Sequence, residues 1–245
     1  MTSTGSDRES RVARLLGALL CAVVLVGGAA AAERAAASQV PVTSATLMAR
    51  SYATGAITSS FTSTSGAALS ATTDACDQRW SVLPASPVNA MAITSTGSVA
   101  ATISGVVTAT VPVCGHTGVN AEVAGDLRTT GGGSSFGVLL HAAPGGRPAT
   151  AAVFSSGIVT IQRISATGTV SSWSPTASVN NSNGARYLRL AYVDGVYTVF
   201  VNNASVLSYT ATAAQRTEAE QNRSVGIVAI SDTRTTFDNF QGYPR

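Results

Sequence analysis

Splitting a glycosidic bond takes two carboxylates held about 5 to 10 Å apart across a cleft, and this chain has few acids from which to build such a pair. Beyond residue 37 its glutamates are Glu122, Glu218 and Glu220, and Glu218-Ala219-Glu220 lies in a polar connection with the character of a solvated loop. Nucleophilic catalysis fares no better. The two histidines, His116 and His141, accompany no Gly-x-Ser-x-Gly turn, so a serine nucleophile has neither an elbow nor an evident base. Cys114-x-His116 brackets too little chain to grip zinc, and the other Cys and His residues lack ligand spacing. The expectation is a protein that is not an enzyme.

Sugar recognition asks for less: an aromatic face to lie against the ring, with polar side chains around it. Trp173, in Ser171-Ser172-Trp173-Ser174-Pro175, is the candidate for an exposed ring, and Tyr187, Arg189 and His141 are expected to share a sheet face and supply polar contacts. Trp173 has a second reading, as a lid folded back on the core, because large aromatics are usually mostly buried. Trp80 is assigned to the core.

These side chains need elements to hold them, and the periodicity is that of strands. Leu188, Leu190 and Tyr192 alternate with Tyr187, Arg189 and Ala191, Asp194-Gly195 supplies a tight turn, and Val196 to Val201 returns. Asn202-Asn203 turns the chain again, since Asn tolerates the left-handed region, and Ala204 to Tyr209 makes a third strand. Further strands are expected at Trp80 to Leu83, Ala90 to Ile93, Val106 to Val113, Phe136 to His141, Ala149 to Phe154, Gly157 to Ile164, Ser224 to Ser231 and Thr235 to Gln241. Ala211 to Gln221 is the one place for a short helix or turn. About eleven strands in one domain, with runs such as Phe136-Gly137-Val138-Leu139-Leu140 apolar on both sides, predict an all-β fold of two antiparallel sheets packed face to face.

The order Gly137-Val138-Leu139-Leu140, Gly157-Ile158-Val159-Thr160-Ile161, Leu188-Arg189-Leu190, Asp194-Gly195 and Val199-Phe200-Val201-Asn202 resembles the second half of laminin-G-like and concanavalin A-like jelly rolls. Val225-Gly226-Ile227 and the closing Thr236-Phe237-Asp238-Asn239-Phe240 are similar to the final strands of that superfamily. The resemblance covers residues 57 to 243 and implies a jelly-roll sandwich, which on this fold serves lectins, hydrolases and structural modules alike. It further implies that a hydrolase would carry Glu-x-Asp-x-(x)-Glu on one strand, a motif that is missing here. It points to Asp238 as a ligand for structural calcium, although no acid lies near Thr58 to Phe61 to complete the site.

Ahead of this domain, Arg8, Arg11 and Arg14 precede the apolar run Leu15 to Ala32, followed by small-residue sites at Ala30-Ala31-Ala32 and Ala35-Ala36-Ala37. That is the order of a bacterial signal peptide, expected at residues 1–37, with a lead-in at 38–56 and a secreted or cell-surface product. A retained anchor is the alternative, since the apolar run is just long enough to span a bilayer. Cys21 lies inside the run, so the mature chain keeps Cys76 and Cys114, which in an oxidising compartment read as a disulfide, with two buried thiols as the alternative.

All basic residues are arginine. From residue 38 onward there are 11 Arg against 9 Asp plus Glu, a net of +2, with the arginines spread singly from Arg50 to Arg245. No run tracks phosphates, which excludes nucleic acid as a partner. The sequence therefore favours a secreted, non-catalytic jelly-roll module whose ligand is a glycan or cell-wall polysaccharide. A structural or adhesive surface protein without a small ligand, and a hydrolase with an unrecognised site, are the rival readings.

Overall fold

The computed structural model describes residues 57–59, 61, 64–74, 77–113, 118–128, 135–179 and 185–245. The expected signal peptide and lead-in, His116, and the Cys76–Cys114 pairing lie outside the described residues. Sixteen strands run through the described part. The first half holds β1 (Ile57–Ser59), β2 (Ser81–Leu83), β3 (Met91–Ile93), β4 (Val99–Ala101), β5 (Val106–Pro112), β6 (Ala121–Arg128), β7 (Ser135–Ala142) and β8 (Ala149–Ser155). The second holds β9 (Ile158–Ile164), β10 (Val170–Ser172), β11 (Ala177–Ser178), β12 (Ala185–Val193), β13 (Val196–Val201), β14 (Ala204–Thr210), β15 (Ser224–Ile230) and β16 (Thr236–Pro244). Among the described residues one α-helix, α1 (Ala213–Gln221), begins with a capping box in which Thr212 and Gln215 satisfy each other's backbone N–H groups.

The strands form the two antiparallel sheets of a jelly-roll sandwich. The first has the order β14-β13-β12-β6-β16-β4-β3, with β1 also on β16; the second has β10-β9-β8-β7-β15-β5-β2, with β11 also on β9. Local turn chemistry fixes the hairpin registers. Ser156-Gly157, Asp194-Gly195 and Asn202-Asn203 all have φ between 49° and 88°. Two consecutive left-handed residues make the type I′ turn, whose twist matches that of paired strands.

Between the sheets, inward residues of both make one core. Phe61, Trp80 and Phe240 meet with ring centroids 5.8 Å and 4.9 Å apart along the chain of contacts, and Phe136 stacks on Phe237 at 5.7 Å. Gly125 on β6 is required by this packing, because a Cβ there would overlap the Phe237 ring. Trp80 is in the core, at 2% exposure.

Two differences from the sequence expectation have physical causes. β6 lies at the centre of the first sheet, between β12 and β16, yet Glu122, Gly125 and Asp126 break its apolar pattern. The other additional strands, β1, β4, β10 and β11, are two or three residues long, too short to display a period of two.

Candidate functional site

Alternation along β12 sends Leu188, Leu190 and Tyr192 into the core and turns Tyr187, Arg189 and Ala191 to the outward face of the first sheet. Across that face the register sets Arg189 beside Ala124 on β6 and Phe200 on β13, while Ala124 in turn faces Gln241 on β16. Ala124 is small and fully buried, so the longer side chains close over it. The phenol hydroxyls of Tyr187 and Tyr243 both donate to Gln241 Oε1, at 3.3 and 2.8 Å, which ties two half-buried rings to one amide.

Charge is concentrated beside this group. The Glu122 carboxylate accepts from Arg245 Nε at 2.8 Å and from Arg245 Nη2, and Arg189 Nη1 stands 3.7 Å away. The Arg189 guanidinium lies 3.8 Å from the centroid of the Phe200 ring, and its buried Nε has no acceptor. Burial pulls the Arg189 pKa below its ordinary value, and the Glu122 carboxylate opposes that shift. On the other side of Tyr187, Asp126 accepts from Asn239 Nδ2 at 2.8 Å. The face thus holds aromatic rings, an amide, two carboxylates and two guanidiniums, carried by β12, β6, β16 and the residue that follows β16.

His141 does not join Tyr187 and Arg189. It sits on β7 of the other sheet, at a bulge opposite β15 with φ 49°, and is 4% exposed. The bulge turns its ring into the interior. Its Nε2 donates to the Val119 carbonyl at 2.9 Å, which assigns the tautomer and leaves Nδ1 to accept from the Tyr197 hydroxyl at 2.8 Å. Thr150 completes the chain as donor to Tyr197 at 3.3 Å. The Tyr192 ring meets His141 edge-on at 4.6 Å, and burial raises the Tyr197 pKa above that of an ordinary phenol.

Trp173 takes its second reading. It is half-buried against the core, its ring centroid 6.3 Å from that of Tyr197 and its backbone N–H on the Ile161 carbonyl at 2.9 Å. That places it on the edge of the second sheet, away from Tyr187.

Asp238 stands opposite Asp126 across β16 and β6, and its Oδ1 accepts the Asn239 N–H at 2.7 Å. No group of three or more His, Cys, Asp or Glu capable of holding a metal occurs among the described residues. Calcium takes six to eight oxygens; here Asp126 Oδ2 and Asp238 Oδ1 each accept a hydrogen bond from Asn239. The glutamates are likewise committed or solvated: Glu218 on α1 takes Arg163 Nε through both oxygens at 3.0 Å, and Glu220 is exposed.

Comparison with protein-family models and with curated protein sequences gives no match. Among solved structures, the fold is similar to the carbohydrate binding module CBM66 from Bacillus subtilis, with a TM-score of 0.52 and 11% identity over 67% of this chain and 94% of that one. The Caenorhabditis elegans galectin LEC-6 matches at a TM-score of 0.37, with 18% identity over 55% of this chain and 87% of that one. A family 7 alginate lyase, A1-II′, matches at 0.42, with 13% identity over 61% and 80%. The likeness to the carbohydrate binding module is of fold alone; Gln241, Tyr243 and Glu122, missed from sequence, are found by register. After the bulge at Asp238–Gln241, Phe240 and Gly242 turn inward while Gln241 and Tyr243 turn out, an alternation that the sequence does carry.

Proposed function

We propose that this chain is an exported, non-catalytic module of the concanavalin A-like superfamily that binds carbohydrate on the outward face of its first sheet. The observation that carries the reading is the convergence of the Tyr187 and Tyr243 hydroxyls on Gln241, with Glu122, Arg189 and Arg245 alongside. Rings anchored at their polar ends lose little freedom when a sugar lies against them, so binding costs less ordering entropy. The amide and carboxylate groups then meet sugar hydroxyls. The likeness of this fold to a carbohydrate binding module, over 94% of that chain, supports the reading. The commitment of Glu122 and Glu218 to arginines is the reason to read no hydrolase in it. Export through residues 1–37 and a Cys76–Cys114 disulfide belong to the same proposal.

The test is retention of the purified protein on a panel of insoluble polysaccharides and cell-wall material, with and without a chelator. Retention that Tyr187→Ala and Tyr243→Ala each weaken about tenfold, equivalent to ~1.4 kcal/mol, and that the chelator leaves unchanged, is the expected result. No retention on any matrix, or retention indifferent to both tyrosines, overturns it.

A further inference from the structure

Each sheet of a sandwich ends in two strands whose outer backbone groups have no neighbour, and proteins blunt such edges with short strands, charges or proline. Among the described residues three of the four edges follow that rule: β3, β2 and β10 are three residues long. The fourth does not. β14 runs for seven residues, Ala204-Ser205-Val206-Leu207-Ser208-Tyr209-Thr210, with neither a charge nor a proline. Its backbone bonds only to β13 among the described residues. Ala204, Ser205, Ser208 and Thr210 are exposed, and Val206, Leu207 and Tyr209 are half-buried. A bulge at Val199/Phe200 disturbs the β13–β14 register, which then runs regularly over Leu207–Thr210.

We infer that β14 is the pairing edge for a second copy of this chain, joined antiparallel about a two-fold axis at Ser208. An antiparallel strand is its own complement, because each copy offers the N–H and C=O groups that the other lacks. Since the segment carries no charge, bringing two copies together sets no like charges opposite one another. The pairing joins two first sheets into one continuous sheet and presents both Tyr187–Gln241–Tyr243 faces on the same side. Two such faces on a repeating polymer would act together, converting the second contact into an intramolecular one. The dimer itself stands or falls independently of the glycan reading.

The axis brings the two copies of Ser208 close together, and Ser208 is exposed, so charge can be added there without burying it. Mass measured by light scattering after gel filtration is expected to be twice that of the chain for the unaltered protein. Ser208→Lys and Ser208→Asp should each halve it, and an equimolar mixture of the two variants should restore the doubled mass. A monomer at every concentration for the unaltered protein, doubled mass in both charged variants, or a mixture that stays monomeric overturns the inference. The mixture also separates lost pairing from lost folding, since a misfolded variant is not rescued by its opposite.

Discussion

The two sheets share a fold and an alternating backbone, yet their outward faces carry opposite chemistry. On the first, Tyr187, Arg189, Glu122, Gln241 and Tyr243 form a polar and aromatic surface. On the second, Leu139, Ala142, Ala149, Ala151, Val153, Ile164 and Val228 form an apolar cluster in which each residue is at most 2% exposed. Beside that cluster the connection from Ala143 to Pro148 packs on β5: Gly146 meets the Thr108 and Thr110 side chains, and Arg147 donates to the Val106 carbonyl. The first face is polar, with half-buried Tyr187, Gln241 and Tyr243 set around the buried Arg189 and Ala124, whereas the second is apolar and buried throughout that cluster. Strands polar on one side, such as β12, read as a half-exposed sheet; strands apolar on both, such as β7 and β8, require a cover.

The largest effect expected is at the covered face. Leu139→Ala should lower unfolding free energy by about 2–5 kcal/mol through lost burial and the cavity left behind, measured by denaturant titration. Gly146→Ala should cost about 1–3 kcal/mol, because its φ is 91° and a Cβ would sit 2.6 Å from Thr108 Oγ1. Neither change touches the proposed glycan face, so weakened polysaccharide retention by the folded variants would break the division between the sheets. Tyr197→Phe should cost a comparable ~1–3 kcal/mol by removing the buried hydroxyl that bonds both His141 and Thr150.

The same phenol gives a pH test. Its pKa is raised in the folded state by burial above an ordinary phenol's ~10, so the unfolded chain loses its proton first. The associated stability is fully present below pH ~10 and is lost as pH rises through the folded value. Unfolding free energy should therefore fall more steeply above pH ~10 in the unaltered protein than in Tyr197→Phe. Equal slopes would contradict a buried, neutral Tyr197. The smallest stability effect is expected at the open face, where Tyr187→Ala should stay within about 0.5 kcal/mol while weakening retention.

This contrast explains what the sequence discloses. The β12–β13–β14 meander is legible because strict alternation is bracketed by Asp194-Gly195 and Asn202-Asn203, and the same alternation places Tyr187 and Arg189 outward. β6 is illegible because its outward Glu122 and Asp126 are the residues that make the face polar. His141 is misplaced for the converse reason: Phe136 to Leu140 is apolar on both sides, so no period reveals which way the next residue turns, and a bulge decides it. Trp173 follows a three-residue strand, where no local pattern sets the direction of a ring.

Amide hydrogen exchange, measured with and without a soluble oligomer of a polysaccharide that retains the protein, tests the central claim most directly. Added protection confined to β12, β6 and β16 around Tyr187, Ala124 and Gln241 is the predicted result. Protection on β7, β8 and β15, or in the Ala143 to Pro148 connection, would place the ligand on the second sheet and contradict the account.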